Sequence, residues 1–281
     1  MSLNPTAHGV IQGRRRDKAG HELLYRCFIE ATFWNDLKFE ATTYPPVLFT
    51  PGVPTHMLIN ADFSQRVVIR RNDYQWIPSP AAGVERTMLD RIGEETGHAT
   101  SLVRYAANSA FPEHSHSGGE EILVLEGTFS DEHGSYPAGS YLRNPIGTRH
   151  RPWVGPEGAT IFVKLHQFEE DDQRQVNINT GSKTWLPGLV SGLSVMPLHE
   201  YGTEHTALVK WDPFTRFQPH THYGGEEILV LNGTFHDEHG SYPAGSWIRS
   251  PHMSRHSPYT KDDGALIYVK TGHLLKQGES A

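Results

Sequence analysis

The chain has 281 residues, 20% of them charged, and a formal net charge of −7, which is enough for one large domain or two ordinary ones. Its longest apolar runs span four or five residues, far short of the roughly 20 that a membrane helix needs, and its acidic balance argues against nucleic acid as the main partner. It has one cysteine, which cannot form an intrachain disulfide, and no secretory signal pattern. We therefore predict a cytoplasmic protein that contacts neither membrane nor nucleic acid.

Residues 1–56 precede an internal repeat and are predicted to be an N-terminal extension or tether. Residues 21–38 have the apolar spacing of a short amphipathic helix, and the prolines of residues 44–54 are typical of an extended connection. Met57 stands just before the first repeated strand. The sequence leaves open whether residues 1–56 are an N-terminal arm or lie upstream of the true start of the protein.

The rest of the chain is an internal duplication. Residues 114–145 recur as residues 220–251, with 25 of 32 positions identical at an offset of 106. Related segments before and after extend each unit to roughly 105 residues, a common domain size. We predict one domain over residues 57–170 and a second over residues 171–281.

Each unit consists of short apolar or alternating runs separated by turn residues at roughly ten-residue spacing. Turn residues at 118–119 (Gly-Gly) and 132–134 (Glu-His-Gly) separate such runs, and no long helical periodicity occurs from residue 57 onward. This pattern is typical of an antiparallel β-sandwich or barrel. The predicted fold class is therefore all-β.

Histidine and glutamate recur in each unit at spacings that suit a metal ion. His114 and His116 are two residues apart, so on a strand they project from the same face. A glycine turn then leads to Glu120 and Glu121, of which alternation sends one inward. A turn-rich segment returns His150 to the same region. The second unit repeats these positions as His220, His222, Glu226 and His256.

These motifs resemble those of the cupin superfamily, whose β-barrels hold a divalent metal with three His and one Glu. The six-residue gap from Glu120 to Gly127 matches the first cupin motif and selects Glu120, rather than Glu121, as the ligand. The second motif is matched around His150 and, in the other unit, around His256. There Met253 replaces a turn glycine, so that turn is expected to be strained if it requires a positive φ.

The Gly-Gly-Glu-Glu-Ile-Leu-Val-Leu and Asp-Glu-His-Gly-Ser-Tyr-Pro-Ala-Gly-Ser segments look more narrowly like ChrR-like cupins. That resemblance implies two tandem jelly-roll barrels, a bicupin. It also implies two metal sites, whose ligands would be His114, His116, Glu120 and His150, then His220, His222, Glu226 and His256. The paired-cysteine zinc module of the anti-sigma relatives has no counterpart in residues 1–56, which contain one cysteine, Cys27.

Several other conspicuous residues receive structural interpretations. His133 and His239 stand in turns and are predicted to be exposed, and strand aromatics are interpreted as core. Glu121 and Glu227 are expected to point outward or to orient a ligand imidazole. Three arginines on predicted strands are expected to form surface ion pairs, although each could instead bind a substrate carboxylate. They are Arg104, Arg143 and Arg249.

Three functions remain open for the predicted metal sites, of which the third, a stress- or metabolite-binding protein without catalysis, is not excluded by any feature of the sequence. The first is an Fe(II)-type dioxygenase acting on a small carbonyl or diketone-like compound, because such a ligand set leaves one or two positions open on a five- or six-coordinate ion. The second is a zinc-binding ChrR-like regulatory or sensor module without catalysis, in which four ligands close a tetrahedral site. Iron and zinc are the favoured ions, with nickel and manganese as alternatives. The expected partner is a small molecule, and the chain is expected to be a monomer with an internal pseudo-dimer or a homodimer.

Overall fold

The structure of the protein is a computed structural model that describes residues 10–16, 22–28 and 57–274. Apart from two 3-10 turns, Arg71–Asp73 and Thr180–Ser182, its regular elements are strands. The strands are β1 (Val10–Arg16), β2 (Glu22–Phe28), β3 (Leu58–Ile59), β4 (Val67–Ile69), β5 (Ile77–Pro78), β6 (Val84–Ile92), β7 (His98–Tyr105), β8 (His114–Ser115), β9 (Glu120–Asp131), β10 (Gly134–Pro137), β11 (Ser140–Asn144), β12 (Arg149–His150), β13 (Trp153–Leu165), β14 (Val176–Asn179), β15 (Leu186–Pro187), β16 (Leu193–Tyr201), β17 (Glu204–Trp211), β18 (His220–His222), β19 (Glu226–Asp237), β20 (Gly240–Pro243), β21 (Trp247–Ser250), β22 (Ser254–His256) and β23 (Ala265–Thr271).

The N-terminal strands form an antiparallel hairpin in which Arg16 pairs with Glu22 and Val10 with Phe28. The hairpin belongs to one compact unit, and residues 54–281 belong to a second. The predicted helix over residues 21–38 is therefore wrong where β2 stands, because pairing with β1 overrides a weak helical pattern. The predicted connection over residues 44–54 lies outside the described residues.

Two barrels follow, each built around one large antiparallel sheet. The first sheet runs β14-β11-β9-β13-β7-β6-β3, with β10 on β9 and β5 on β6. The second runs β15-β16-β17-β23-β19-β21-β4, with β20 on β19. A short antiparallel ribbon accompanies each sheet, β8 with β12 and β18 with β22. This arrangement confirms the predicted all-β architecture of two barrels.

The barrels exchange one strand with each other. β4 pairs with β21 of the second sheet, where Ile69 lies opposite Trp247. Reciprocally, β14 pairs with β11 of the first sheet, where Ile178 lies opposite Tyr141. Each barrel is therefore completed by a strand that precedes the other barrel's repeat in the sequence.

Three apolar clusters explain why the central strands are apolar on both faces. In β9, Ile122 and Val124 pack inside the first barrel, whereas Leu123 and Leu125 face the second barrel. The interior of the second barrel forms an equivalent cluster around Ile228. Burial on both sides is the reason that alternation is missing from this strand. The predicted core aromatics are buried; they are Tyr105, Tyr141, Phe162, Trp211 and Trp247.

The second compact unit is thus a pair of barrels sealed by a shared apolar interface. Among the described residues, no helix is long and apolar enough to cross a membrane.

Candidate metal centre

The short ribbon of the first barrel brings the predicted histidines together. His114 on β8 lies directly opposite His150 on β12, His116 follows β8, and Glu120 is the first residue of β9. One ligand-type atom from each of the four lies within 4.8 Å of the others. The structure therefore places all four predicted residues of the first unit in one cluster, which we call site 1.

Each imidazole of site 1 is held through Nδ1. The Thr148 hydroxyl donates to the Pro145 carbonyl, so it accepts from His116. The other acceptors are a backbone carbonyl and a carboxylate, so each Nδ1 donates a proton, which leaves Nε2 as the nitrogen whose lone pair can bind a metal. The three contacts are His114 Nδ1 to Pro112 O at 2.9 Å, His116 Nδ1 to Thr148 Oγ1 at 2.9 Å, and His150 Nδ1 to Asp131 Oδ2 at 3.2 Å.

The Nε2 atoms of His116 and His150 converge on one carboxylate oxygen. His116 Nε2 and His150 Nε2 are buried and unpartnered among the described residues, and they lie 3.3 and 3.4 Å from Glu120 Oε2. Buried polar atoms are rarely left unsatisfied, and a metal bound by imidazole nitrogen and carboxylate oxygen at about 2.0–2.2 Å would satisfy all of them. The residues present thus fit a divalent ion.

The protonation states of the ligands differ. Burial lowers the pKa of His116, which favours the neutral imidazole. Burial would also lower the pKa of His150, but a hydrogen bond to Asp131 and the charge of Glu120 raise it, so a bound metal ion would displace a proton from this ring. Burial alone would raise the pKa of Glu120, but the positive charge that His116 and His150 carry when protonated, together with a hydrogen bond from Asn144, holds it below its usual value. A metal cation in place of those protons would act on the carboxylate in the same direction. Neutral imidazoles beside an ionised carboxylate are the forms that bind metal.

The second barrel repeats the cluster, which we call site 2. His220 on β18 lies opposite His256 on β22, and the four ligand-type atoms again lie within 4.8 Å of one another. Glu226 Oε2 is 3.5 Å from His222 Nε2 and 3.6 Å from His256 Nε2, and both nitrogens are buried and unpartnered among the described residues.

The surroundings of the two carboxylates differ. Ser250 pairs with Glu226 across the β21–β19 ladder, at the position where Asn144 pairs with Glu120 and donates its amide. Burial raises the pKa of Glu226 to about 7, in the opposite direction from Glu120. Site 2 therefore holds its carboxylate with fewer polar neighbours than site 1.

The turn before the last histidine confirms the expected strain in site 2. Met253 has φ +61°, and Gly147, at the equivalent place, has φ +89°. Both turns form an equivalent backbone hydrogen bond, because the amide of Gly147 donates to His116 O and the amide of Met253 donates to His222 O. A positive φ costs a non-glycine residue conformational energy.

A cavity of about 300 Å³ opens beside site 1. Its walls include His114, His116 and Glu120, together with apolar side chains such as Phe129 and Ile161. Small-molecule sites have this combination of apolar walls and a few convergent polar groups.

The second glutamates of the two acidic pairs do not touch the sites. Glu121 accepts hydrogen bonds from Lys270 and Tyr268, and Glu227 from Lys164 and Trp247. Lys270, Tyr268 and Lys164 belong to the barrel opposite their glutamate, and Trp247 lies in the apolar interface between the barrels. Glu121 and Glu227 therefore point away from the metal cluster, which agrees with the prediction that they point outward. The alternative prediction, that they orient a ligand imidazole, is wrong.

Two of the three strand arginines are also buried at the barrel interface. Arg143 pairs with Asp172 at 2.7 Å and Arg249 with Asp90 at 2.9 Å, all nearly inaccessible to solvent. The expected surface pairing is wrong for Arg143 and Arg249, because their strands face the other barrel. Arg104 does form an exposed pair with Glu85.

The turn histidines lie where the sequence suggested, and the same turns contain a residue that the sequence analysis missed. His133 and His239 are exposed. Asp131, at the start of the first turn, holds His150, and Asp237 lies 3.6 Å from His256 Nδ1 in the second. The sequence signal for these aspartates was that the Asp-Glu-His-Gly turn is identical in both units. An aspartate beside a metal site is a common hydrogen-bond partner of a ligand imidazole.

Comparison with known proteins agrees with this architecture. The model of the ChrR cupin-like domain matches residues 64–169 and 173–275, whereas no curated protein matches the chain. A proposed dioxygenase from Nostoc punctiforme is 19% identical with a TM-score of 0.63, over 75% of this chain and 84% of that one. A proposed glyoxylate-induced protein from Pseudomonas aeruginosa is 15% identical with a TM-score of 0.61, over 83% and 96%. A bacterial pirin from Escherichia coli in complex with nickel(II) is 13% identical with a TM-score of 0.53, over 74% and 98%.

At these identities the solved structures establish a shared fold alone. The family model, however, covers most of both barrels. The chain therefore belongs to the ChrR cupin-like family and contains two copies of its domain.

Proposed function

We propose that the protein is a metal-dependent dioxygenase of the Fe(II) type that acts on a small carbonyl compound. The observation that carries the proposal is the convergence, beside a cavity of about 300 Å³ at site 1, of one carboxylate with buried imidazole nitrogens that have no hydrogen-bond partner in the part of the chain that the structure describes. The Nostoc punctiforme protein of the same fold is described as a proposed dioxygenase, which agrees with this reaction class.

The proposed ligands are the four residues of each cluster. A divalent ion held by three neutral imidazoles and one carboxylate supplies Lewis acidity and open positions for a chelating substrate and oxygen. The ligands of site 1 are His114, His116, Glu120 and His150, and those of site 2 are His220, His222, Glu226 and His256.

The remaining residues of site 1 position these ligands and exclude water. Thr148 and Asp131 fix the rings of His116 and His150 through Nδ1, and Asn144 donates to Glu120 Oε2 at 3.0 Å. The apolar walls of the cavity limit bulk water, which strengthens electrostatic interactions at the centre.

Domain boundaries and assembly are proposed on the same basis. An extension over residues 1–56 precedes barrels that span residues 57–170 and 171–281, with β4 and β14 exchanged between them. The apolar interface between the barrels favours a monomer that contains its own pseudo-dimer, and a homodimer is the alternative. We also propose a cytoplasmic location.

Metal content of untagged chain purified without oxygen tests the proposal. We expect about two equivalents of iron per chain and oxygen consumption with diketones or hydroxyketones. His116→Ala and His222→Ala should each remove about one equivalent. His133→Ala and His239→Ala, which change exposed turn histidines, should remove none. Two equivalents of tightly held zinc without turnover would instead support a regulatory or sensor module.

A further inference from the structure

Two arginines line the same cavity as the histidines of site 1. Arg86 and Arg91 both belong to β6 and both contribute to the wall that includes His114, His116 and Glu120. Residues five apart on a regular strand face opposite sides. A bulge between Met88 and Asp90 shifts the register of β6 against β7 and so brings both arginines to one side.

Arg91 is a buried cation without a carboxylate partner. It is 2% exposed, its guanidinium donates to the Glu94 carbonyl, and its Nε is buried without a hydrogen bond in the described part of the chain. Within residues 57–274 no carboxylate forms an ion pair with it. Glu94 and Glu95 act on Arg91 only through longer-range attraction. Burying a charge without a counter-charge in contact is costly, so an anion entering the cavity would find a donor that is already desolvated.

Arg86 is held in a replaceable pair. Its two Nη atoms donate to the carboxylate oxygens of Glu95 at 2.8 and 2.6 Å, and the Glu95 side chain is 56% exposed. Glu95 stands in the loop of residues 93–97, which connects β6 to β7. The planar fork of arginine binds any carboxylate in this bidentate way, so a substrate carboxylate can take the place of Glu95.

The second barrel lacks both arginines. The strand register places Val195 at the position of Arg86 and Glu200 at that of Arg91. Glu200 is an exposed carboxylate that faces His205. The connecting loop is also shorter there, since two residues, 202–203, replace the five of residues 93–97.

We propose that Arg91, assisted by Arg86, binds the carboxylate of an anionic substrate at site 1, so that this site takes a short 2-oxo or hydroxy acid and site 2 does not. The inference rests on the proposed function, because it names the substrate class of the same site. Both arginines are specificity-determining residues, because the equivalent positions of the second barrel hold Val195 and Glu200.

Calorimetric binding to the full-length chain loaded with zinc, which requires no turnover, tests the proposal. The probes are pyruvate and the uncharged pentane-2,4-dione. We expect about one pyruvate per chain, and His222→Ala should leave that stoichiometry unchanged. Arg91→Gln should weaken pyruvate binding by about tenfold to a hundredfold, the usual effect of losing a charged hydrogen bond, whereas binding of the dione should stay the same.

Further variants separate the anion site from general damage. Arg91→Lys keeps the charge and should recover part of the affinity, and Arg104→Gln, on an exposed arginine, should change nothing. Glu95→Gln frees Arg86 and should tighten pyruvate binding several-fold, a gain that loss of folding cannot imitate. Zinc content is measured for every variant.

Three results would overturn the proposal. The first is equal pyruvate affinity in wild type, Arg91→Gln and Glu95→Gln. The second is that Arg91→Gln weakens the binding of pyruvate and of the dione equally. The third is that the wild type binds none of pyruvate, lactate and acetate at millimolar concentration. Pyruvate binding without oxygen consumption by the iron-loaded chain would contradict the dioxygenase but leave the anion site in place.

Discussion

The ammonium group of Lys164, in the first barrel, lies 2.5 Å from a carboxylate oxygen of Glu227, in the second. Lys270 and Glu121 form the reciprocal pair at 2.6 Å. Each of these four side chains is 2% exposed or less. The duplication therefore places two crossed ion pairs at the barrel interface, where each lysine neutralises the glutamate that follows the other barrel's candidate metal ligand.

Breaking one crossed pair should destabilise the protein strongly. We expect Lys164→Met to lower the free energy of unfolding by about 3–5 kcal/mol, because it leaves the Glu227 carboxylate buried without its cation. The double variant Lys164→Met with Glu227→Gln should lose less than the sum of the single changes. Denaturant unfolding measures both. Arg104→Gln, at an exposed pair, should cost about 0–1 kcal/mol; equal losses at the buried and exposed pairs would refute the expectation.

The exchanged strands predict damage in the barrel that is remote in sequence. Proline removes a backbone donor and breaks a ladder, so Ile69→Pro in β4 should expose the edge of β21 in the second barrel. Ile178→Pro in β14 is the matched change and should expose β11 in the first. Hydrogen exchange followed by mass spectrometry should show faster exchange at residues 247–250 and 140–144 respectively. If hydrogen exchange became faster only within the repeat that carries the substitution, the pairing of β4 with β21 and of β14 with β11 would be contradicted.

The strained turn of site 2 predicts a stabilising substitution. Met253 has φ +61° and is 57% exposed, so Met253→Gly removes little packing and relieves the backbone. We expect a gain of about 1 kcal/mol in the free energy of unfolding. Gly147→Ala is the reverse change at φ +89°, where an added Cβ would meet no atom within 4 Å, and should cost about 1 kcal/mol. Unchanged stability in both variants would show that neither turn stores strain.

Asp131 predicts the strength of metal binding at site 1. Its carboxylate accepts from His150 Nδ1 at 3.2 Å and from the Tyr136 hydroxyl at 3.1 Å. Asp131→Asn removes the negative charge that orients the imidazole, so metal affinity at site 1 should fall about tenfold to a hundredfold. Competition with a chromogenic chelator, in a His222→Ala background that leaves site 1 alone, measures the loss. His133→Ala in the same turn is the control; equal affinity in Asp131→Asn and wild type would argue against an orienting role.

Local sequence determined most of the fold and the candidate clusters. The 106-residue offset predicts two similar barrels, and the His-x-His spacing is enough to place His114 and His116 together, because alternation along a strand is a short-range property. Turns bring His150 and Glu120 to the same place, and the glycine and proline residues of those turns predict them from the sequence. The family resemblance selected Glu120 rather than Glu121, which alternation alone did not, and Glu120 is the glutamate that lies in the cluster.

Long-range packing decided the rest. Whether Glu121, Arg143 and their repeats face solvent, a metal or another barrel depends on which surface covers the strand, and no local pattern records that surface. A single bulge in β6 turned Arg91 toward the cavity of site 1, since one extra residue inverts the side-chain alternation that follows it. The exchange of β4 and β14 likewise depends on pairing between segments far apart in the chain, whose energy exists only once both barrels have formed.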